Sequence, residues 1–284
     1  MFKKSLACGL AILSIGLANA QAIKIVAAEN FYGELSTEIG GKNVDVQSII
    51  TNPDADPHLF TTSPSISKAL SSAQIIIYNG ADYDPWMEQL LKSINNKKVI
   101  VINVADLMGV KSGANPHIWY KLDTFPTLAR ELTKQIKTIN PKAQVDLNLK
   151  QFLKENQQVA IKAHNIKVKH NGVSVTATEP VFGYMASDMG LSMQGIDFQW
   201  KIMNDTEPSP QMLASYEALL KDHKVSVLFY NKQVTDSTTK NILKLAQDNK
   251  IQIVGVTETM PKNTKINQWL LEEINNTNTA LDTK

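Results

Sequence analysis

Residues 141–164 read PKAQVDLNLKQFLKENQQVAIKAH, with no glycine and one proline, at the start. Val145, Leu149, Phe152, Leu153 and Val159 recur at helical spacing and give a narrow apolar face on an otherwise polar segment. The pattern predicts one long helix that either bridges solvent or lies across two bodies. On both sides of it strand-like and helix-like segments alternate. Upstream, strands are expected at 23–29, 44–50, 74–80 and 97–102, with helices at 31–40, 63–73, 85–94 and 124–139. Gly40 and Gly41 close the first helix, and Ser63 with Pro64 supplies a cap and a first residue for the second. Downstream, strands are expected at 172–178, 192–200, 225–230 and 251–256, with helices at 181–189, 209–223, 236–249 and 265–276. The tail after Asn275 is polar and is expected to fray.

About four β/α units, a long helix and four more imply parallel sheets covered by helices on both faces. The fold class is therefore α/β: two lobes, each a mostly parallel sheet flanked by helices, joined by one long rigid helix. The expected boundaries are 21–140 for the N-terminal lobe, 141–165 for the linking helix and 166–284 for the C-terminal lobe. The length of 284 residues suits two domains at about 150 residues each. In such sheets ligands bind beyond the carboxyl ends of the strands, and between two lobes those loops can converge on one cleft.

Residues 1–20 read as a signal peptide. Lys3 and Lys4 form the positive start, residues 6–17 a short apolar run, and Ala18-Asn19-Ala20 a small-residue cleavage site, with cleavage after Ala20. The run is shorter than the roughly 20 residues that span a bilayer, and no later stretch is apolar enough to serve as a membrane anchor. Cys8 is the only cysteine. Ser5 stands where a lipid-attachment motif usually has Leu, and cleavage before Cys8 would leave almost no apolar run, so a soluble exported protein is expected rather than a lipoprotein. The mature chain then lacks cysteine, which excludes thiol catalysis, a disulfide framework and cysteine-based zinc sites. Without Lys3 and Lys4, the 29 bases become 27 against 27 acids. That balance, with no dense basic run, argues against nucleic-acid binding.

Chemistry-bearing residues follow the strands. After strand 44–50 comes Thr51-Asn52-Pro53-Asp54-Ala55-Asp56-Pro57-His58, where two prolines restrict the loop around a histidine. After strand 97–102 and a turn comes Asn115-Pro116-His117-Ile118-Trp119. Two x-Pro-His loops, both after strands, point to a ligand pair more strongly than an isolated histidine, which is usually a satisfied surface or core residue. His164, His170 and His223 sit at helix ends or in a basic turn, where a cation simply complements the helix dipole. Glu179 ends strand 172–178 and Glu258 follows strand 251–256; each is the first charge after its strand. Such a glutamate can equally be a solvated charge at a helix start. The chain has no Gly-x-Ser-x-Gly elbow, no His-Glu-x-x-His, no phosphate loop and no dinucleotide glycine fingerprint.

The residues 53–58, Tyr78-Asn79-Gly80, 115–119, Thr178-Glu179-Pro180-Val181-Phe182-Gly183-Tyr184 and 254–261, in that order after an export signal, carry a resemblance. Over nearly all of the mature chain it resembles the cluster A-I metal-binding solute receptors of bacterial manganese, zinc and iron ABC transporters. The resemblance implies two α/β lobes bridged by one rigid helix. It also implies a divalent ion held between them on four residues, which here are His58, His117, Glu179 and Glu258. Two departures stand out: zinc members commonly have His at the position of Glu179, and the last ligand is commonly Asp where this chain has Glu258. The long His/Asp-rich loop of many zinc members is absent; residues 104–115 are short and contain no His.

Two neutral imidazoles and two carboxylates suit Mn²⁺, Zn²⁺ or Fe²⁺ as cargo, and oxygen-rich ligation leans towards Mn²⁺. The expected role is a periplasmic receptor, monomeric, that hands the ion to an ABC-transporter permease and does no chemistry itself. Two other readings stand beside it. An exported metallohydrolase could use the same ligands, although it would need an open position for water and a separate base. A receptor for an organic ligand could use Trp86, Trp119 and Trp200, although core or lobe-face packing is the commoner role of such residues.

Overall fold

The computed structural model describes residues 21–52, 60–94, 96–234 and 236–283. The amino-terminal half runs β1 (Ile23–Glu29), α1 (Asn30–Gly40), β2 (Val44–Ile50), α2 (Pro64–Ser72), β3 (Ile75–Tyr78), α3 (Pro85–Ser93), β4 (Ile100–Asn103), α4 (Val104–Met108) and α5 (Thr124–Ile139). The long helix α6 (Asp146–His170) follows. The second half runs β5 (Ser174–Ala177), α7 (Gly183–Asp188), β6 (Ser192–Gln194), α8 (Ile196–Met203), α9 (Pro210–Lys221), β7 (Val227–Asn231), α10 (Ser237–Asp248), β8 (Gln252–Val256) and α11 (Ile266–Asp282).

Two four-stranded sheets result, in the orders β2-β1-β3-β4 and β6-β5-β7-β8, with every pairing parallel. The interior strands are largely buried, as strands covered on both faces must be; β3 is Ile-Ile-Ile-Tyr, buried throughout. In both sheets the chain reverses its winding beside the first strand. The switch points therefore lie between β1 and β3 and between β5 and β7, the positions at which sheets of this kind bind ligands.

The expected α/β alternation is present, with five local corrections. The linking helix is shifted, from 141–164 to Asp146–His170. Its buried residues Phe152, Asn156, Val159, Ala163 and Ile166 continue one stripe past His164, and Lys167, Lys169 and His170 complement its carboxyl end. The stripe packs on α1 and α5 of one half and on α7 and α11 of the other, so the helix lies across both. Residues 192–200 are not one strand. Gly195 takes φ 70, which ends β6 after Gln194, and α8 begins at once; a Cβ at Gly195 would also meet the Tyr216 ring at 2.7 Å. The turn expected after β4 contains the short helix α4, capped by the Asn103 side chain on the Asp106 N–H. Finally, the tail after Asn275 is helical to Asp282, with Thr277 and Ala280 buried and Asp282 bonded to Lys169 and His170. At α2, Ser63 occupies the cap position but its hydroxyl meets Ser65 instead of a backbone N–H.

One core runs through both halves. Phe31 lies 4.9 Å from Trp119 and 5.8 Å from Trp269, centroid to centroid; Tyr120 lies 5.4 Å from Trp269 and 5.0 Å from Phe182, which in turn lies 5.0 Å from Phe229. All six rings are buried in a single cluster. The two sheets are thus joined by dry aromatic packing as well as by α6.

Candidate metal centre

His117 opens the 3-10 turn Ile118–Tyr120 beyond β4 and is fully buried. Its backbone is pinned from the first half. The Asn79 amide donates to the carbonyl of Pro116 at 2.8 Å, the Tyr32 hydroxyl donates to Asn79 Oδ1 at 2.7 Å, and Asp84 accepts the Asn79 and Gly80 N–H groups at 2.8 Å each. Gly80 is required there, since φ is 75 and a Cβ would sit 2.3 Å from Asn103 Oδ1. Burial and the nearby Asp84 charge hold the Glu29 carboxyl well above the usual carboxylate range, and burial pushes Asp84 up to about 6. This acidic pair lies at the carboxyl end of β1 and the start of α3.

The His117 ring has its tautomer set by Asn115. Asn115 Nδ2 donates to the carbonyl of Pro180 in the other half at 2.7 Å, so Oδ1 is the atom that faces His117 Nδ1, also at 2.7 Å. Nδ1 must then carry the proton, and Nε2 presents its lone pair. That nitrogen lies 3.9 Å from Glu258 Oε2.

Glu179 and Glu258 come from the second half, each two residues beyond its strand. They are 5% and 1% exposed, so neither is the solvated helix-start charge that its sequence position also allowed. Asn231, the last residue of β7, donates from Nδ2 to Glu179 Oε2 at 2.8 Å and to Glu258 Oε1. Tyr83 reaches across from the first half and donates to Glu258 Oε2 at 3.0 Å. Burial, together with the negative charges of Glu258 and Glu29, raises the Tyr83 hydroxyl well above its usual range, so it remains a donor. The Gln233 side chain accepts the Glu258 N–H at 2.6 Å and fixes that loop.

The structure therefore brings His117, Glu179 and Glu258 to one buried junction between the halves. His58 lies outside the described residues, as do residues 1–20. Among the described residues no group of three or more His, Cys, Asp or Glu side chains is already gathered tightly enough to hold a metal ion. Of the tryptophans, Trp119 is core and lies 5.3 Å from the His117 ring, while Trp86 packs on Phe60 at 4.6 Å. Among the described residues no helix is long and apolar enough to cross a membrane. Sequence reading passed over Tyr83, Asn115 as tautomer setter, and Asn231. Each carries no charge, but each is a polar group that ends a strand, follows one or precedes a proposed ligand.

The family described as "ZnuA: Zinc-uptake complex component A periplasmic" matches residues 25–279. The manganese ABC transporter substrate-binding lipoprotein PsaA of Streptococcus mitis is 26% identical over 255 residues, covering 83% of this chain and 80% of that protein. The iron ABC transporter substrate-binding lipoprotein MtsA of Streptococcus pyogenes serotype M1 is 25% identical over 244 residues, covering 80% and 77%. The periplasmic zinc binding protein TroA of Treponema pallidum superposes with a TM-score of 0.77 at 15% identity, over 92% of this chain and 99% of that one.

Proposed function

The chain belongs to the family of ZnuA, the periplasmic component of zinc-uptake complexes, and from that premise we propose that it captures a divalent first-row ion between its halves and delivers it to a membrane permease. It is a substrate-binding protein of the metal ABC transporter class, a binding protein and not a metallohydrolase. The proposed ligands are His58, His117, Glu179 and Glu258, and the proposed setting is the periplasm, where the chain acts as a monomer after export.

The observation that carries this reading is the convergence of one oriented imidazole and two buried carboxylates at the junction. Burying two carboxylates costs several kcal/mol each unless positive charge and hydrogen bonds compensate. A divalent cation supplies that charge, and two imidazoles with two carboxylates would make the loaded site neutral. Mixed nitrogen and oxygen donors without thiolate fit Mn²⁺, Zn²⁺ and Fe²⁺. The ligand types lean towards Mn²⁺ if the carboxylates chelate through both oxygens, because Mn²⁺ accepts more than four ligands and Zn²⁺ usually takes four.

The test is a thermal-shift series on chelator-treated protein with Mn²⁺, Zn²⁺, Fe²⁺ and small organic solutes. Only a ligand bound by the native state raises the midpoint. A rise with the ions that disappears in His58→Ala with His117→Ala supports the reading. A rise with organic solutes alone, or an ion response unchanged in the double variant, refutes it.

A further inference from the structure

In the second sheet β7 lies between β5 and β8, and Asn231 is its last residue. The register pairs Ala177 with Phe229 and Asn231 with Val256, so Glu179 emerges level with Asn231 and Glu258 just above it on the other side. The amide is 1% exposed, and its orientation is fixed because Oδ1 accepts the Gln233 N–H at 3.0 Å. The NH₂ group must then face the carboxylates. It has two protons and two acceptors: Glu179 Oε2 and Glu258 Oε1. Oε1 of Glu179 and Oε2 of Glu258 are the oxygens it leaves for other partners, and Glu258 Oε2 is the one on the His117 side.

We propose that Asn231 is a specificity-determining positioning residue that holds Glu179 and Glu258 as single-oxygen ligands; this rests on the reading that the two glutamates bind the ion. Chelation needs both oxygens of a carboxylate turned towards the ion, and a carboxylate held through one oxygen by a fixed N–H donor must strain that bond to turn; Tyr83 donates to Glu258 Oε2 on the His117 side, where the second lone pair of that oxygen serves the ion. So restrained, each glutamate adds one oxygen in place of two, a lower coordination that Zn²⁺ accommodates and Mn²⁺ finds sparse. Asn231 thus works against the manganese lean of the carboxylates and brings the two affinities closer to the intrinsic order. A neutral amide suits this task. It satisfies both carboxylates before the ion arrives, and it adds no charge to the loaded site.

The experiment measures Zn²⁺ and Mn²⁺ affinities of the full chain by chelator competition, at one pH and ionic strength, for wild type, Asn231→Ala and Asn231→Asp. Asn231→Ala removes the donor that the two carboxylates share. Asn231→Asp keeps the shape, should either variant fold poorly, and replaces the donor with an anionic oxygen that repels the two carboxylates from their restrained positions. The ratio of Zn²⁺ to Mn²⁺ affinity is expected to fall at least about tenfold in both variants. X-ray absorption of the Mn²⁺-loaded Asn231→Ala protein is expected to show more oxygen neighbours than wild type. Equal loss of affinity for both ions, with an unchanged oxygen count, would make Asn231 a packing residue and overturn the proposal. Wild-type protein that binds neither ion would instead overturn the metal-receptor reading itself.

Discussion

Tyr83 and Glu258, 175 residues apart in sequence, meet at 3.0 Å across the junction of the two halves. The phenol is the donor and the carboxylate the acceptor, so the bond joins a residue of the first half to a proposed ligand of the second. Hydrogen bonds to charged groups contribute about 1.5–3 kcal/mol. Tyr83→Phe is therefore expected to weaken ion binding by about tenfold, mainly through faster release, with little change in fold. Stopped-flow release into excess chelator measures this; a wild-type release rate in the variant would show the bond to be incidental.

Asn115 offers a second test. Its side chain ties the Pro180 carbonyl to His117 Nδ1 and so sets the tautomer that exposes Nε2. Asn115→Ala is expected to lower affinity for every ion by about 10- to 100-fold, since both tautomers then become accessible. Asn115→Asp, which retains the oxygen facing Nδ1, is expected to recover most of the loss at the ring. Calorimetric titration of the three proteins decides; equal affinities would remove Asn115 from the machinery.

At Glu179 the expectation concerns selectivity. An imidazole supplies one nitrogen and no charge where the carboxylate supplies oxygen and a negative charge. Glu179→His is expected to raise the Zn²⁺ to Mn²⁺ affinity ratio at least about tenfold, roughly 1.4 kcal/mol. A constant ratio with both affinities intact would place Glu179 outside the ligand set.

Away from the junction, Glu273 on α11 is 3% exposed, and burial raises its carboxyl to about 7. In the window from the ordinary value of 4.5 up to about 7 the folded protein holds a proton that the unfolded chain has lost. Stability contributed by the neutral carboxyl is thus present at acid pH and declines as pH rises through that window, by on the order of 3 kcal/mol when complete. Glu273→Gln is expected to flatten this decline and to stabilise the protein at pH 8 while changing little at pH 4. Urea denaturation at the two pH values checks the sign; a variant less stable at pH 8 would contradict it.

Much of this was legible from residues alone because the periodicities were clean. The stripe Phe152, Val159 and the apolar run at Ile75, Ile76 and Ile77 announce a linking helix and a covered parallel strand. Glu179 and Glu258 were visible as first charges after strands. Asn231 and Tyr83 were not, because their importance depends on strand order. β7 lies between β5 and β8 only once the winding is known, and no local pattern states that order. Residues 192–200 differ for another reason: Ile196, Phe198 and Trp200 alternate with polar residues as in a strand, but Gly195 at positive φ ends β6 before them. The helical end of α11 was hidden because a polar tail gives no hint of the Lys169 and His170 contacts that hold Asp282.

The two halves are wound alike and look separable, yet Phe31 and Tyr120 of the first close against Trp269 and Phe182 of the second, with Trp119 and Phe229 packed behind them. Neither half can complete its interior alone. The molecule should consequently melt in one cooperative transition, with calorimetric and van't Hoff enthalpies in agreement, and not as two domains in sequence. A chain severed within α6 would yield two fragments that fold only by finding each other, each leaving half an aromatic seam exposed to water until it does.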